Sequence, residues 1–215
     1  MAPSPKWLQD RLTAIGLKPI NNVVDVTNYV QHELGQPLHA FDADRLAGQR
    51  IVVRKAAPSE AFITLDGKER KLDADDLVIA DAVRPACIAG VFGGLTSGVS
   101  DATSTVFLES ACFDPAHVRR TARRHGLNTD ASFRFERGAD PEVTEYALRR
   151  VALLLKEVAG ARIASPITDI DHVRRSRTEV RLRFAEVERL TGIAIAPDDI
   201  VRALELLDFR VMDRN

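Results

Sequence analysis

Polar side chains set into apolar text are the residues of this sequence best suited to chemistry. Asp25, Thr27 and Asn28 interrupt the run from Val23-Val24 to Tyr29-Val30, and His39 stands between Leu38 and Ala40-Phe41. Glu109 follows Phe107-Leu108 and precedes Ser110-Ala111-Cys112-Phe113, so a carboxylate ends an apolar strand. Burying a carboxylate without a partner is costly, so Glu109 is expected to have a specific donor. Taken singly, each residue also has an ordinary structural role. Thr27 and Asn28 can be hydrogen-bonding helix residues, and His39 a satisfied packing residue in a loop. No reaction is identified by any of them alone. Familiar enzyme signatures are missing: there is no G-x-S-x-G elbow, no P-loop, no H-E-x-x-H and no G-x-G-x-x-G after a strand. Cys87 and Cys112 form no C-x-x-C pair, so neither a redox motif nor a metal site is read from them.

The elements that must position these residues follow from spacing. Ser4-Pro5 reads as a helix start, with the Ser4 hydroxyl as cap, and Trp7, Leu8, Leu12 and Ile15 recur at helical spacing before Gly16. A second helix is expected from Asn21-Asn22 to Gly35, with Val23, Val26, Val30 and Leu34 on one face. Gln36 to Gly48 reads as an ordered loop. Short strands follow at Ile51–Arg54, Phe62–Leu65, Arg70–Leu72, Leu77–Ala80, Cys87–Ala89 and Thr105–Leu108, with Asp66-Gly67 as a hairpin turn. The glycines of Gly90-Val91-Phe92-Gly93-Gly94 suit a pocket wall, where backbone must come close. Asp114-Pro115 opens a helix to about Gly126, and Asp140-Pro141-Glu142 opens a longer one to Gly160. Strands followed by helices argue for an α+β fold with mixed or antiparallel sheets and flanking helices. The polar stretch His172 to Arg177 reads as a linker between a domain at 1–173 and a partial helical module at 178–215. In that module Val180–Leu182 and Phe209–Val211 read as strands, with helices over Phe184–Leu190 and from Pro197 to Leu206.

Composition narrows the function class. Of 215 residues, 45% are hydrophobic and 28% charged, the balance of an ordinary globular chain. Thirty Lys and Arg against 31 Asp and Glu leave a net charge of −1, which excludes a strongly basic nucleic-acid clamp but permits a local basic face. Aromatics at 6% argue against a stacking platform for single strands. No run of about 18 apolar residues is present, and the N-terminus lacks a signal-peptide plan, so a cytoplasmic location without membrane contact is expected.

Read together and in order, five segments are informative. They are Val23-Val24-Asp25-Val26-Thr27-Asn28-Tyr29-Val30, Leu34-Gly35-Gln36-Pro37-Leu38-His39-Ala40-Phe41-Asp42, Ile88-Ala89-Gly90-Val91-Phe92-Gly93-Gly94, Phe107-Leu108-Glu109-Ser110-Ala111, and Thr129 to Gly138. This series closely resembles the beta subunit of bacterial phenylalanyl-tRNA synthetase, in the third and fourth modules that form its editing domain. The likeness runs from about Ser4 to Asp171, and the tail looks like the start of the fifth module. There the family usually has Leu-Gly-Phe, whereas this sequence reads Leu207-Asp208-Phe209.

The resemblance implies hydrolysis of tyrosine mischarged onto phenylalanine tRNA, within a class II aminoacyl-tRNA ligase. It places catalytic roles on His39, Thr27 and Asn28, and the amino-acid pocket on Gly93, Glu109, Thr129 and Ala131. Glu109 would accept a hydrogen bond from the tyrosyl hydroxyl, which phenylalanine lacks. Gly93 and Ala131 would leave room for the ring, and His39, Thr27 and Asn28 would orient water or the terminal ribose. It also implies the tRNA acceptor end and an alpha subunit, in an alpha2beta2 enzyme, as partners. ATP and magnesium belong to that full enzyme, and no cofactor is expected in this section of it. Phosphate contacts are expected from Arg119, Arg120, Arg123, Arg124, Arg134 and Arg137, which face only Asp130 and Glu136 in their own span. Two other readings stand beside this one. One is a non-catalytic module that positions tRNA or a subunit; the other is a free-standing deacylase, against which the module beginning at Thr178 argues.

Overall fold

Side-chain caps set several helix ends in the computed structural model, which describes residues 1–171 and 178–213. Asn21 accepts from the N–H groups of Val23 and Val24 at 3.1 and 3.0 Å, and Gly35 closes the same helix in the left-handed region at φ 75°. Asp114 and Gly126 do the same for a later helix. The order is α1 (Lys6–Ala14), α2 (Asn22–Leu34), β1 (Leu38–Asp42), β2 (Val52–Lys55), β3 (Ala61–Ile63), β4 (Glu69–Lys71), β5 (Leu77–Ala80), β6 (Pro85–Ile88), β7 (Phe92–Gly93), β8 (Val106–Ser110), α3 (Pro115–His125), α4 (Asp130–Phe135), α5 (Thr144–Ala159), α6 (Phe184–Thr191) and α7 (Pro197–Glu205). The architecture is α+β. Every strand pairing among the described residues is antiparallel: a four-stranded sheet β2-β5-β6-β7, the hairpin β3-β4, and the ribbon β1-β8.

The chain divides into two compact units, Met1–Asp169 and Ile170–Asn215. The stretch read as a linker, His172 to Arg177, lies outside the described residues. The first unit holds two apolar cores. In one, Leu8 and Leu12 of α1 and Val23, Val26 and Val30 of α2 pack with Ala147, Val151, Leu154 and Leu155 of α5. Burying Val26 or Val151 completely contributes roughly 1.5–3 kcal/mol each. In the other, Val78, Ile79 and Ile88 of the four-stranded sheet meet Phe113, Val118 and Ala122 at α3 and Phe135 of α4.

Several local readings change. Leu38–Asp42 is a strand rather than loop, because β8 supplies the ladder from residues 106–110, far along the sequence. Ser4 does not cap α1. Its hydroxyl donates to the buried Asp25 carboxylate at 2.5 Å, and Pro5 takes the cap position without a side-chain bond. Residues 130–135, not foreseen as helix, form α4 through a capping box in which Thr129 and Ser132 bond each other's backbone N–H groups. In the second unit, Val180–Leu182 and Phe209–Val211 form no strand; among the described residues no neighbouring strand offers them a ladder. Asp208 adopts φ 62°, the left-handed backbone that glycine takes without strain. A glycine in the resembling family at this position is therefore what the local geometry favours.

A buried carboxylate ties the sheet unit to α3. Asp76 is fully enclosed and accepts from Thr121 Oγ1 at 3.0 Å, His125 Nε2 at 2.6 Å, the Asp73 N–H at 2.9 Å, and Arg124. Burial pushes its carboxyl up, but the bonds from His125, Asp73 and Thr121 outweigh this and hold it below the usual range. The Asp76→Ala variant is expected to lose about 3 kcal/mol in urea denaturation, because Arg124 and Thr121 lose a buried acceptor. Removing Asp10, which pairs with Lys6 on the exposed face of α1, should leave the midpoint nearly unchanged.

Candidate functional site

The β1-β8 ribbon sorts its side chains by a period of two. Leu38 pairs with Ser110, His39 with Glu109, Ala40 with Leu108, Phe41 with Phe107 and Asp42 with Val106. Directly opposed residues leave the ribbon on one face, and neighbours along a strand leave on opposite faces. Leu38, Ala40, Val106 and Leu108 therefore pack on the helical core, while Phe41 joins the sheet core. His39 and Glu109 share the face of Phe41, side by side.

That face borders an open cleft with a cavity volume of about 70 Å³. This is well below the size of an enclosed ligand pocket, so the site is a shallow groove open to solvent. Its walls are largely apolar, from Pro37, Leu38, Val91, Phe92 and Phe135, with Cys87, Gly90, Gly93 and Ala131. The β6-β7 hairpin brings Gly93 opposite Cys87, turning at Gly90 with φ 68°. A Cβ on Gly93 would stand 2.9 Å from both His39 Cε1 and Leu65 Cδ1, so glycine lets the wall approach the imidazole. His39 also packs edge-on against Phe41, with ring centroids 4.4 Å apart.

Burial disfavours the charged form of both polar groups at the cleft. Burial raises the Glu109 carboxyl from 4.5 to about 7, and no hydrogen bond reaches it from the described residues. The specific donor expected for Glu109 is thus not supplied by the described residues. Burial lowers the His39 imidazole from 6.5 to about 4, and its Nε2 is buried without a partner. Apolar surroundings disfavour the charged form of each, which moves an acid up and a base down. The nearby Cys87 thiol is pushed well up, first by burial and then by Glu109. The arrangement can accept a hydrogen bond from an aromatic ligand's polar substituent at Glu109, and can orient a small polar group at His39.

Not every expected residue reaches this cleft. His39, Gly93, Glu109 and Ala131 line it. Thr129 stands behind the wall as the cap of α4 and donates to the Val91 carbonyl at 2.9 Å. Thr27 and Asn28 are not among the lining residues. Thr27 Oγ1 donates to the Val24 carbonyl at 2.8 Å within α2, and the Asn28 carbonyl bonds His32 Nδ1 at 2.9 Å. Cys87, Pro37 and Phe135 join the site although sequence reasoning did not assign them to it. For Cys87 the signal was the hairpin around Gly90, which sets residue 87 opposite 93.

The arginines also separate. Arg124 is taken up by Asp76 and Asp73, acidic residues outside its own span. Arg119 donates to the Glu136 carbonyl at 2.6 Å, and Arg134 to the Asp130 carbonyl at 3.0 Å. Arg137 pairs with Glu136 and lies 3.6 Å over the Phe133 ring. Arg120 and Arg123 are exposed, and among the described residues no bond ties down either guanidinium. Among the described residues no group of three or more His, Cys, Asp and Glu converges as a metal site would require, and no helix is long and apolar enough to cross a membrane.

Residues 1–160 match the B3/4 domain family. The phenylalanine–tRNA ligase beta subunit of Porphyromonas gingivalis is 53% identical over 209 residues, covering 97% of this chain and 25% of that protein. The beta subunit of Bacteroides fragilis is 51% identical over 210 residues, 98% of this chain and 26% of that protein. The one from Moorella thermoacetica is 50% identical over 211 residues, with the same two shares. The chain spans about a quarter of the length of these relatives.

Stability against pH should separate the two cleft groups. Folding favours protonated Glu109, so its contribution is full below pH 4.5 and is lost as pH rises to about 7. Folding favours neutral His39, so its contribution is full above pH 6.5 and is lost as pH falls to about 4. Each is worth roughly 3 kcal/mol and the two oppose each other between pH 4.5 and 6.5. Relative to the unaltered chain, urea midpoints across that window should rise with pH in Glu109→Gln and fall with pH in His39→Gln. Equal slopes in both variants would contradict the assignment.

Proposed function

The chain belongs to the B3/4 domain family, and from that premise we propose that it is the section of a phenylalanine–tRNA ligase beta subunit that hydrolyses tyrosine mischarged onto phenylalanine tRNA. One observation carries the reading: Glu109 and His39 stand side by side at an apolar cleft, and among the described residues no hydrogen bond reaches the Glu109 carboxyl or His39 Nε2. A synthetic site built for phenylalanine rejects an added hydroxyl only weakly, so discrimination needs a second site that binds the hydroxyl positively. Glu109 supplies the acceptor for it. A phenylalanyl group would leave that acceptor unpaired in an apolar wall.

The reaction is ester hydrolysis. A water's hydroxyl adds to the ester carbonyl carbon, the ribose oxygen leaves with the water's other proton, and tyrosine and tRNA are released. His39 is neutral at physiological pH, so its imidazole can hold the water or the terminal ribose without adding charge. Glu109 binds the phenol best as a carboxylate, so recognition strengthens as pH rises through about 7. Thr129 acts by holding α4 and with it the Ala131 wall against Val91. ATP and magnesium serve ligation by the whole enzyme, and no step of this hydrolysis is routed through them. The partners are the acceptor end of phenylalanine tRNA and the alpha subunit of an alpha2beta2 enzyme in the cytoplasm. Of the six arginines, Arg120 and Arg123 are the two that contact phosphates.

The competing non-catalytic reading draws on the position of Thr27 and Asn28 away from the cleft lining, and one assay decides between them. Tyrosyl-tRNA presented to the full ligase with Glu109→Ala or His39→Ala should be deacylated at least about tenfold more slowly. Hydrolysis unchanged in both variants would remove the editing assignment. In the same enzyme, Arg120→Ala with Arg123→Ala should lower the salt-dependence slope of tRNA binding by about 2. A slope equal to that of the unaltered enzyme would show that these two arginines face only solvent.

A further inference from the structure

We infer that Gln36 is a positioning residue, whose side-chain amide clamps the adjoining ends of β1 and β8 and so holds Glu109 and His39 at the cleft. The register of the ribbon sets residue 37 opposite residue 111, one step beyond the Leu38–Ser110 pair. Residue 37 is proline and has no N–H to give, so the ladder cannot continue there by backbone alone. Gln36 makes up the deficit. Its Nε2 donates to the Ala111 carbonyl at 2.7 Å, across 75 residues of sequence, and to the Pro37 carbonyl at 3.1 Å.

The side chain is only 1% exposed, and its Oε1 is buried with no donor among the described residues. An acceptor left unpaired in the interior works against stability, and an apolar side chain of the same size would avoid it. What the position supplies is therefore the N–H side of the amide. Only the Leu38–Ser110 pair stands between this tie and His39 with Glu109, so loosening this end reaches the cleft pair before the rest of the ribbon. A second tie holds the same strand end from outside, where Ser110 Oγ donates to the Thr144 carbonyl at 2.7 Å. It joins β8 to the start of α5 and does not bridge the two strands.

The test compares Gln36→Met, Gln36→Leu and Ser110→Ala. Carboxyl-carbon NMR of the 215-residue chain should show the Glu109 midpoint fall from near 7 toward the ordinary carboxylate range in both Gln36 variants, as water reaches the frayed pair. Ser110→Ala should leave that midpoint in place. In the full ligase the Gln36 variants should raise the KM for tyrosyl-tRNA hydrolysis roughly fivefold, with a smaller change in kcat. If Gln36→Met does not fold, Gln36→Leu, which also removes the donor without adding a charge, decides. An unmoved Glu109 midpoint in the folded Gln36 variants, or an equal shift in Ser110→Ala, overturns the clamp. The kinetic arm rests on the editing reading and the titration does not, so an unaltered ligase that fails to hydrolyse tyrosyl-tRNA would remove the editing reading and leave the clamp to the titration.

Discussion

The register of one two-stranded ribbon is the constraint on which this structure depends. With His39 opposite Glu109, the residues Leu38, Ala40, Val106 and Leu108 meet the helices and the polar pair meets the cleft. A one-residue slip of either strand would turn that strand over, driving His39 or Glu109 toward the helical core and two of these apolar side chains toward the cleft. Burial of the apolar face thus fixes the polar face. The chemistry of the site is set by packing on the far side of the ribbon.

The same constraint makes the site energetically expensive. Two ionisable groups have their charged forms disfavoured by an apolar wall, and among the described residues none of Glu109, His39 Nε2 and Gln36 Oε1 finds a hydrogen-bond partner. Such groups concentrate at functional sites, where a ligand's hydrogen bonds can be made at no cost of displacing protein ones. Elsewhere in the first unit buried polar groups are well met: Asp25 accepts from Ser4 and from the Ile20 N–H, and Asp76 from four donors. The contrast between satisfied carboxylates in the scaffold and an unsatisfied one at the cleft sets Glu109 apart.

Local features were legible in the sequence, and long-range pairing was not. Asn21, Gly35, Asp114 and Gly126 mark helix ends through bonds to their nearest neighbours, and the Asp66-Gly67 turn closes the β3-β4 hairpin. β1 escaped because its ladder comes from β8, and Pro37, His39 and Asp42 locally suggest a loop. Ser4 looks like a cap, yet its hydroxyl is claimed by Asp25, 21 residues on. Arg124 looked free because Asp73 and Asp76 lie outside its own span. At the site, His39, Gly93, Glu109 and Ala131 come together as the ordered segments suggested, while Thr27 and Asn28 stay with α2. Spacing along one helix cannot say which of its faces meets a cleft built from other elements.

The central claim is that Glu109 meets the hydroxyl of a tyrosyl group seated in this cleft. Its most direct measurement is a crystal structure with tyrosine amide-linked to the ribose of adenosine, a stable mimic of the ester. The phenol oxygen should stand within hydrogen-bond distance of the Glu109 carboxylate, about 2.5–3.0 Å, with the amide carbonyl near His39. A ring bound outside the cleft, or bound inside it with its hydroxyl turned away from Glu109, would contradict the claim.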